Sequence, residues 1–145
     1  MIPNFGSSDT LPPGIHTATW QEFCDRYGRT KYRRKLLEGF EKGMNHLRYV
    51  GCTCIWIDGS FITDKYRPND FDACWNEDGV DFSFLDTMYP ALLDFQGKRE
   101  RQKGIYGGEF FPSGWVAANN PKRTYLEFFQ KDKEDNPKGI IEILL

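Results

Sequence analysis

Two short clusters in this 145-residue chain have residue types and spacing suited to chemistry: Asp58-Gly59-Ser60 and Asp70-Phe71-Asp72. A glycine without a Cβ lets the backbone come close to a ligand, and the following serine hydroxyl and free N–H groups can bind phosphate oxygens. Side chains two apart on a strand share a face, so Asp70 and Asp72 would project together. Two carboxylates at one point repel each other unless a cation lies between them. Mg²⁺ or Mn²⁺ suits that place, because such an ion takes oxygen ligands and completes its shell with water and substrate phosphates.

The charge distribution points the same way. Nine acidic residues lie from Asp58 to Asp94, against only Lys65 and Arg67, although the net charge of the chain is just −2. Basic runs flank this centre: Arg29, Lys31, Arg33, Arg34 and Lys35 before it, then Lys98, Arg99, Arg101 and Lys103 after it. An acidic centre for a cation, bordered by cations for phosphates, is what a polyanionic substrate requires. Other chemistries find less support. His16 and His46 are the only histidines and stand in no motif, and Cys24, Cys52, Cys54 and Cys74 form no C-x-x-C pair, so nucleophilic and zinc sites have little to work with. The cysteines read as reduced apolar residues, with Cys52 and Cys54 on one face of a strand and not placed to bond each other.

The elements that must position these residues follow from pattern. One domain is expected at this length. An extended arm over residues 1–14 would end at Pro12-Pro13-Gly14. Thr19-Trp20-Gln21-Glu22 has the capping-box pattern and predicts a short helix over residues 20–27, with Gly28 supplying a left-handed stop. The stripe Tyr32, Leu36, Phe40, Met44 and Leu47 predicts a long helix from Thr30 to Tyr49, with Arg33 mostly away from the apolar side and Gly51 ending it. Gly39 and Gly43 weaken a helix by roughly 1 kcal/mol each relative to alanine, so their expected use is to let another element approach closely. Residues 52–57 read as a buried strand and Phe71 to Trp75 as the next. Leu92 to Tyr106 reads as largely helical, Glu109-Phe110-Phe111 as a third strand, and residues 125–129 and 140–143 as a closing hairpin around a turn flanked by Lys131 and Lys138, read as exposed charges. Trp20, Trp56, Trp75, Phe110 and Phe128 are the expected core. The fold class predicted is α+β, a small mixed sheet with helices mainly on one face.

A strand, a Gly-Ser turn and an Asp-x-Asp about ten residues on resemble the polymerase-β-like minimal nucleotidyltransferase superfamily. The longer segments LPPGIHTATW, DGSFITDKYRPNDFDACW, GGEFFP and YLEFFQKDKEDNPKGI resemble an uncharacterised family of short bacterial proteins within it. The resemblance implies a nucleoside triphosphate substrate, Asp70 and Asp72 as metal ligands, and a third carboxylate on the neighbouring strand. Glu109 and Asp94 compete for that third place, and Glu109 is preferred. Phosphate contacts would come from Gly59, Ser60, Thr63 and Lys65 or from the basic run near Arg99, since Phe61 occupies the place where many small members carry a cation.

The implied activity is Mg²⁺-dependent transfer of a nucleotidyl group from an NTP to a protein or RNA acceptor, tRNA included. The resemblance also fits a toxin-antitoxin or phage-defence pair, with an antitoxin or other protein as partner. Two other readings compete: a catalytically degenerate member that acts by binding a protein, and a metal-dependent phosphate-ester hydrolase. No apolar stretch is long enough to span a bilayer, and the N-terminus lacks the basic and apolar regions of a secretory signal, so a cytoplasmic protein without membrane partners is expected.

Overall fold

A computed structural model describes residues 1–6 and 9–145. Among them, strands β1 (Gly14–Ala18), β2 (Cys54–Asp58), β3 (Phe71–Trp75), β4 (Gly108–Pro112) and β7 (Gly139–Leu144) form one mixed sheet in the order β1-β7-β2-β3-β4. The outer pairs β1/β7 and β3/β4 are parallel, and the inner pairs β7/β2 and β2/β3 are antiparallel. A separate ribbon pairs β5 (Val116–Asn119) with β6 (Lys122–Thr124). The class is α+β, as the sequence predicts.

Helix α1 (Trp20–Tyr27) starts at the expected capping box, with Thr19 accepting from the Glu22 amide and Glu22 reaching back to Thr19. Its end differs from expectation: Gly28 has φ −88° and is not left-handed. Helix α2 (Lys31–Tyr49) is the long helix, and Gly51, with φ +105°, follows its last turn. With α1 it covers one face of the sheet, where Phe23, Phe40, Met44 and Leu47 pack against Ile55, Ile57, Ala73, Trp75 and Phe110. Gly39 and Gly43 allow a close approach: a Cβ on Gly39 would lie 1.9 Å from the Tyr106 carbonyl oxygen, and one on Gly43 would lie 2.5 Å from the Phe110 ring.

The buried side of α2 is rotated from the predicted stripe. Arg33, expected on the polar side, is fully buried, whereas Tyr32 and Leu36 are half-exposed. The Arg33 guanidinium donates to the carbonyls of Phe61 (2.8 Å), Thr63 (3.1 Å) and Lys65, and so ties α2 to the loop after Gly59-Ser60. A methionine there would fill the space and orphan those acceptors. Arg33→Met should therefore lower the urea-unfolding free energy by ~3 kcal/mol. Unchanged stability would mean that the guanidinium does not hold the loop.

The C-terminal third departs most from expectation. Residues 125–129 are not a strand but the short helix α5 (Tyr125–Phe129), started by a second capping box, Thr124 with Glu127. Phe128 is therefore 47% exposed, and Phe129 is buried in its place. Helix α5 lies on the other face of the sheet, where Phe129 packs with Cys54, Trp56, Cys74, Phe111 and Ile140. Trp56, Trp75 and Phe110 are buried as expected, and Trp20 is half-buried at the edge of the core. The helix predicted over residues 92–106 is confined to α4 (Glu100–Tyr106), after a 3₁₀ turn at Pro90–Leu93 and a left-handed turn over Gly97–Arg99. Helix α3 (Phe82–Met88), the β5/β6 ribbon and β1 lie in segments that the pattern left unassigned.

The N-terminal arm packs against the sheet at Leu11. Leu11 is buried and its carbonyl accepts from the Gly139 amide, while Ser7 and Ser8 lie outside the described residues. The four cysteines are unpaired. Cys52 and Cys54 do not share a face, because the strand begins only at Cys54 and Cys52 turns into the α2 side of the core. Among the described residues, no helix is long and apolar enough to cross a membrane.

Candidate active site

Strand register brings three carboxylates abreast. Asp58 on β2 pairs with Asp72 on β3, and Asp72 pairs in turn with Glu109 on β4. Directly paired residues point to one face, and so do residues two apart on one strand. These carboxylates therefore share the face of Trp56, Cys74 and Phe111, opposite the long helix. Helix α5 covers one end of that face and the acids occupy the other. Asp70, just before β3, has the parity of Asp72.

Gly59 follows β2 with φ 86° and ψ −169°, a conformation open almost only to glycine. A Cβ there would sit 2.6 Å from the Asp72 Oδ2. The turn and the aspartate are thus in direct contact, and the missing side chain is what makes room. Gly59→Ala should cost ~2 kcal/mol in urea unfolding, from strain and from displacement of the Asp72 carboxylate. Stability equal to the parent would show that the backbone is not held in this conformation.

Electrostatics mark Asp72 as the most perturbed carboxyl of the group. Burial, followed by the charges of Asp70, Glu109 and Asp58, pushes it up to about 7, against the opposing charge of Lys138. Asp70 is also raised, by burial and then by Glu109, with Lys103, Arg99 and Lys65 opposing. Burial raises Asp58, which Lys138 partly offsets through an ion pair of 2.8 Å. Excess negative charge therefore collects at Asp70 and Asp72, whereas the flanking acids have cationic partners.

Glu109 is one of those flanking acids. It lies beside Asp72 as the third-carboxylate expectation requires, but its oxygens are held by Arg99 (3.1 Å) and Lys103 (3.0 Å). Lys98 and Arg99 both take left-handed conformations, φ 57° and 61°, to make that approach. Each such residue costs roughly 1–2 kcal/mol, which the ion pairs and the contact of the Arg99 guanidinium with the Phe111 ring offset. Asp94 is not brought to the site. It sits after the turn Pro90–Leu93, with Arg101 at 3.6 Å.

Ser60 opens a 3₁₀ turn beside Gly59, and its carbonyl accepts from the Thr63 hydroxyl at 2.6 Å. That hydroxyl also accepts from the Lys65 amide, so Thr63 is committed to the shape of the loop. The Lys65 side chain is exposed. A cavity of about 280 Å³ lies beside the turn, lined among others by Gly59, Ser60, Thr63, Lys133 and Lys138. Lys138, expected as an exposed turn charge, thus faces the site through Asp58, an acid to which the sequence pattern gave no role of its own. The visible signal was an acid placed directly before Gly59-Ser60 at the end of a buried strand.

Among the described residues, no three His, Cys, Asp or Glu side chains converge closely enough to hold a metal ion by themselves. The donor set still fits Mg²⁺, which commonly uses one or two carboxylates with waters and substrate phosphates. Asp70 and Asp72 would supply the two carboxylates, and their mutual repulsion is what a cation would relieve. The Family of unknown function (DUF6932) matches residues 3–144. No curated protein and no solved structure matches the chain.

Proposed function

We propose that this chain, which belongs to the DUF6932 family, is a Mg²⁺-dependent nucleotidyltransferase that moves a nucleotidyl group from an NTP to a protein or RNA acceptor. The observation that carries the reading is the contact of Asp72 with the Gly59 backbone, on the sheet face that also carries Asp58 and Glu109. Asp70 and Asp72 would hold the metal, and Gly59, Ser60 and Lys65 are the candidates for the phosphate chain. Bound there, the metal would neutralise phosphate charge and polarise the phosphoryl oxygens. Lys138 pairs with the Asp58 carboxylate and offsets part of the negative charge beside Asp72. Arg99 and Lys103 hold Glu109, and its release from them would free a base at the edge of the pair. The protein would work in the cytoplasm, where NTPs are abundant, and a role beside an antitoxin or other protein partner fits this reading.

One observation favours a second reading. With Glu109 engaged by two cations, the site has two available carboxylates rather than three. A protein that binds nucleotide and engages a partner without transferring anything would need no more. Incubation with α-labelled NTP, Mg²⁺ and cell extract separates the readings. Label on a macromolecule supports transfer, and its removal by ribonuclease or protease tells the acceptor class. Free labelled nucleotide alone indicates hydrolysis, and tight binding without either product supports the binding protein.

A further inference from the structure

The face beside the 61–70 loop gathers cations that have no acidic partners. Lys31, Arg34 and Lys35 on α2 and Lys65 and Arg67 on the loop are all exposed. Among the described residues, none of the five is ion-paired. Arg29 alone is neutralised there, by Asp64. The first turn of α2 holds no acid, so the positive end of the helix dipole adds to this field. Left uncompensated, such an arrangement is self-repelling, and a polyanion would relieve it.

The shape is specific as well as the charge. Lys31, Tyr32, Arg34, Lys35, Glu38 and Arg67 line a shallow cleft of about 650 Å³. The Arg67 guanidinium lies over the Tyr32 ring, 4.2 Å from its centroid, and Tyr66, the preceding residue in the chain, is 74% exposed and lines a second pocket with Arg29, Thr30, Arg33 and Asp64. Stacked guanidinium planes and open aromatic rings are what unpaired bases rest on, while the surrounding cations follow the phosphates. The Tyr32 hydroxyl donates to the Pro68 carbonyl at 2.7 Å, which fixes this ledge to the segment that ends at Asp70. Lys65 is near enough to Asp70 for its charge to act on that carboxylate. Residues 65–70 therefore link the cleft on α2 to the strand that carries the candidate site.

We infer that the cleft between the start of α2 and the 65–68 loop binds single-stranded nucleic acid and presents it as the acceptor to the Asp70–Asp72 site. The binding stands on the cleft alone; the word acceptor rests on the nucleotidyltransferase reading.

The test is fluorescence anisotropy with a labelled RNA of about 20 nucleotides, the DNA of the same sequence and a polyglutamate peptide, at salt from about 50 to about 200 mM. The full chain should bind both single strands. The triple variant Lys31→Glu, Lys35→Glu and Arg67→Glu should bind them at least tenfold more weakly, with a log–log salt slope smaller by about 2. Tyr66→Ala should lose about fivefold or more through stacking. Lys122→Glu, an exposed charge on the β5/β6 ribbon, should bind as the parent does. If the triple variant does not fold, Tyr66→Ala and Lys35→Glu carry the same comparison.

The inference is overturned by a folded triple variant that binds RNA like the parent, or by a parent that binds no single strand. Equal binding of polyglutamate would also overturn it and give the face to an acidic protein. Each form is titrated with MgATP in parallel. Loss of RNA alone bears on this cleft, whereas a parent that binds RNA but no MgATP overturns the transfer reading and leaves the cleft standing.

Discussion

Replacing Asp72 with asparagine should abolish nucleotidyl transfer, by at least about a thousandfold, and at the same time make the metal-free protein more stable at neutral pH. The second half follows from the buried negative cluster. In the folded chain the Asp72 carboxyl holds its proton up to about pH 7, but in the unfolded chain it releases the proton near pH 4. Folding therefore takes up a proton between those values. Stability contributed by Asp72 is present below about pH 4 and is lost as the pH rises to about 7, with an upper limit of ~4 kcal/mol. Asparagine keeps the shape and carries no charge, so thermal unfolding of Asp72→Asn should occur several degrees higher than in the parent at about pH 8 and near the parent at about pH 4. Mg²⁺ with ATP should raise the parent's midpoint and leave the variant's unchanged. A variant destabilised at about pH 8 would show that Asp72 is not held against its neighbours' charges.

The largest purely structural effect should come from Gly39→Ala. On an open helix surface this change adds roughly 1 kcal/mol of stability. Here the new methyl would meet the Tyr106 carbonyl oxygen at 1.9 Å, where α4 ends against α2. Backbone cannot rotate away as a side chain can, so the helices must separate. Urea unfolding should show a loss of ~3 kcal/mol or more, outweighing the propensity gain. A more stable variant would mean that α4 does not pack on α2 at this point. Gly43→Ala should be milder, since the obstacle there is the Phe110 ring rather than backbone.

The parts of this molecule legible in sequence are those in which a local rule and the tertiary fold agree. Thr19 and Glu22 specify the start of α1 by themselves, and two glycines four apart in a long helix announce a close neighbour. Asp70 and Asp72 share a face because strands have a period of two, whatever surrounds them. Helix α5 shows the opposite case. Thr124 and Glu127 carry the same capping pattern as Thr19 and Glu22, but the aromatic run behind them reads equally well as a strand. Its helical state depends on Phe129 packing on Phe111 and Trp56 on the face of the sheet away from α2.

Long-range pairs were not legible. Nothing local ties Lys138 to Asp58, or Arg99 and Lys103 to Glu109, because those contacts are made by strand register and by a left-handed turn that ion pairs hold in place. Arg33 reads as a surface charge until a loop of unpaired carbonyls is folded over it. The sheet face that carries the acids was likewise decided only when α2 took the other one.

The most direct test of the central claim is Mn²⁺ binding followed by electron paramagnetic resonance, with ATP present, on the parent and on Asp70→Asn and Asp72→Asn. Mn²⁺ replaces Mg²⁺ at oxygen sites and reports its own coordination. The account predicts one or more protein-bound ions in the parent that appear only with nucleotide and are lost in both variants. Equal Mn²⁺ binding by all three proteins, or none in the parent, would contradict it.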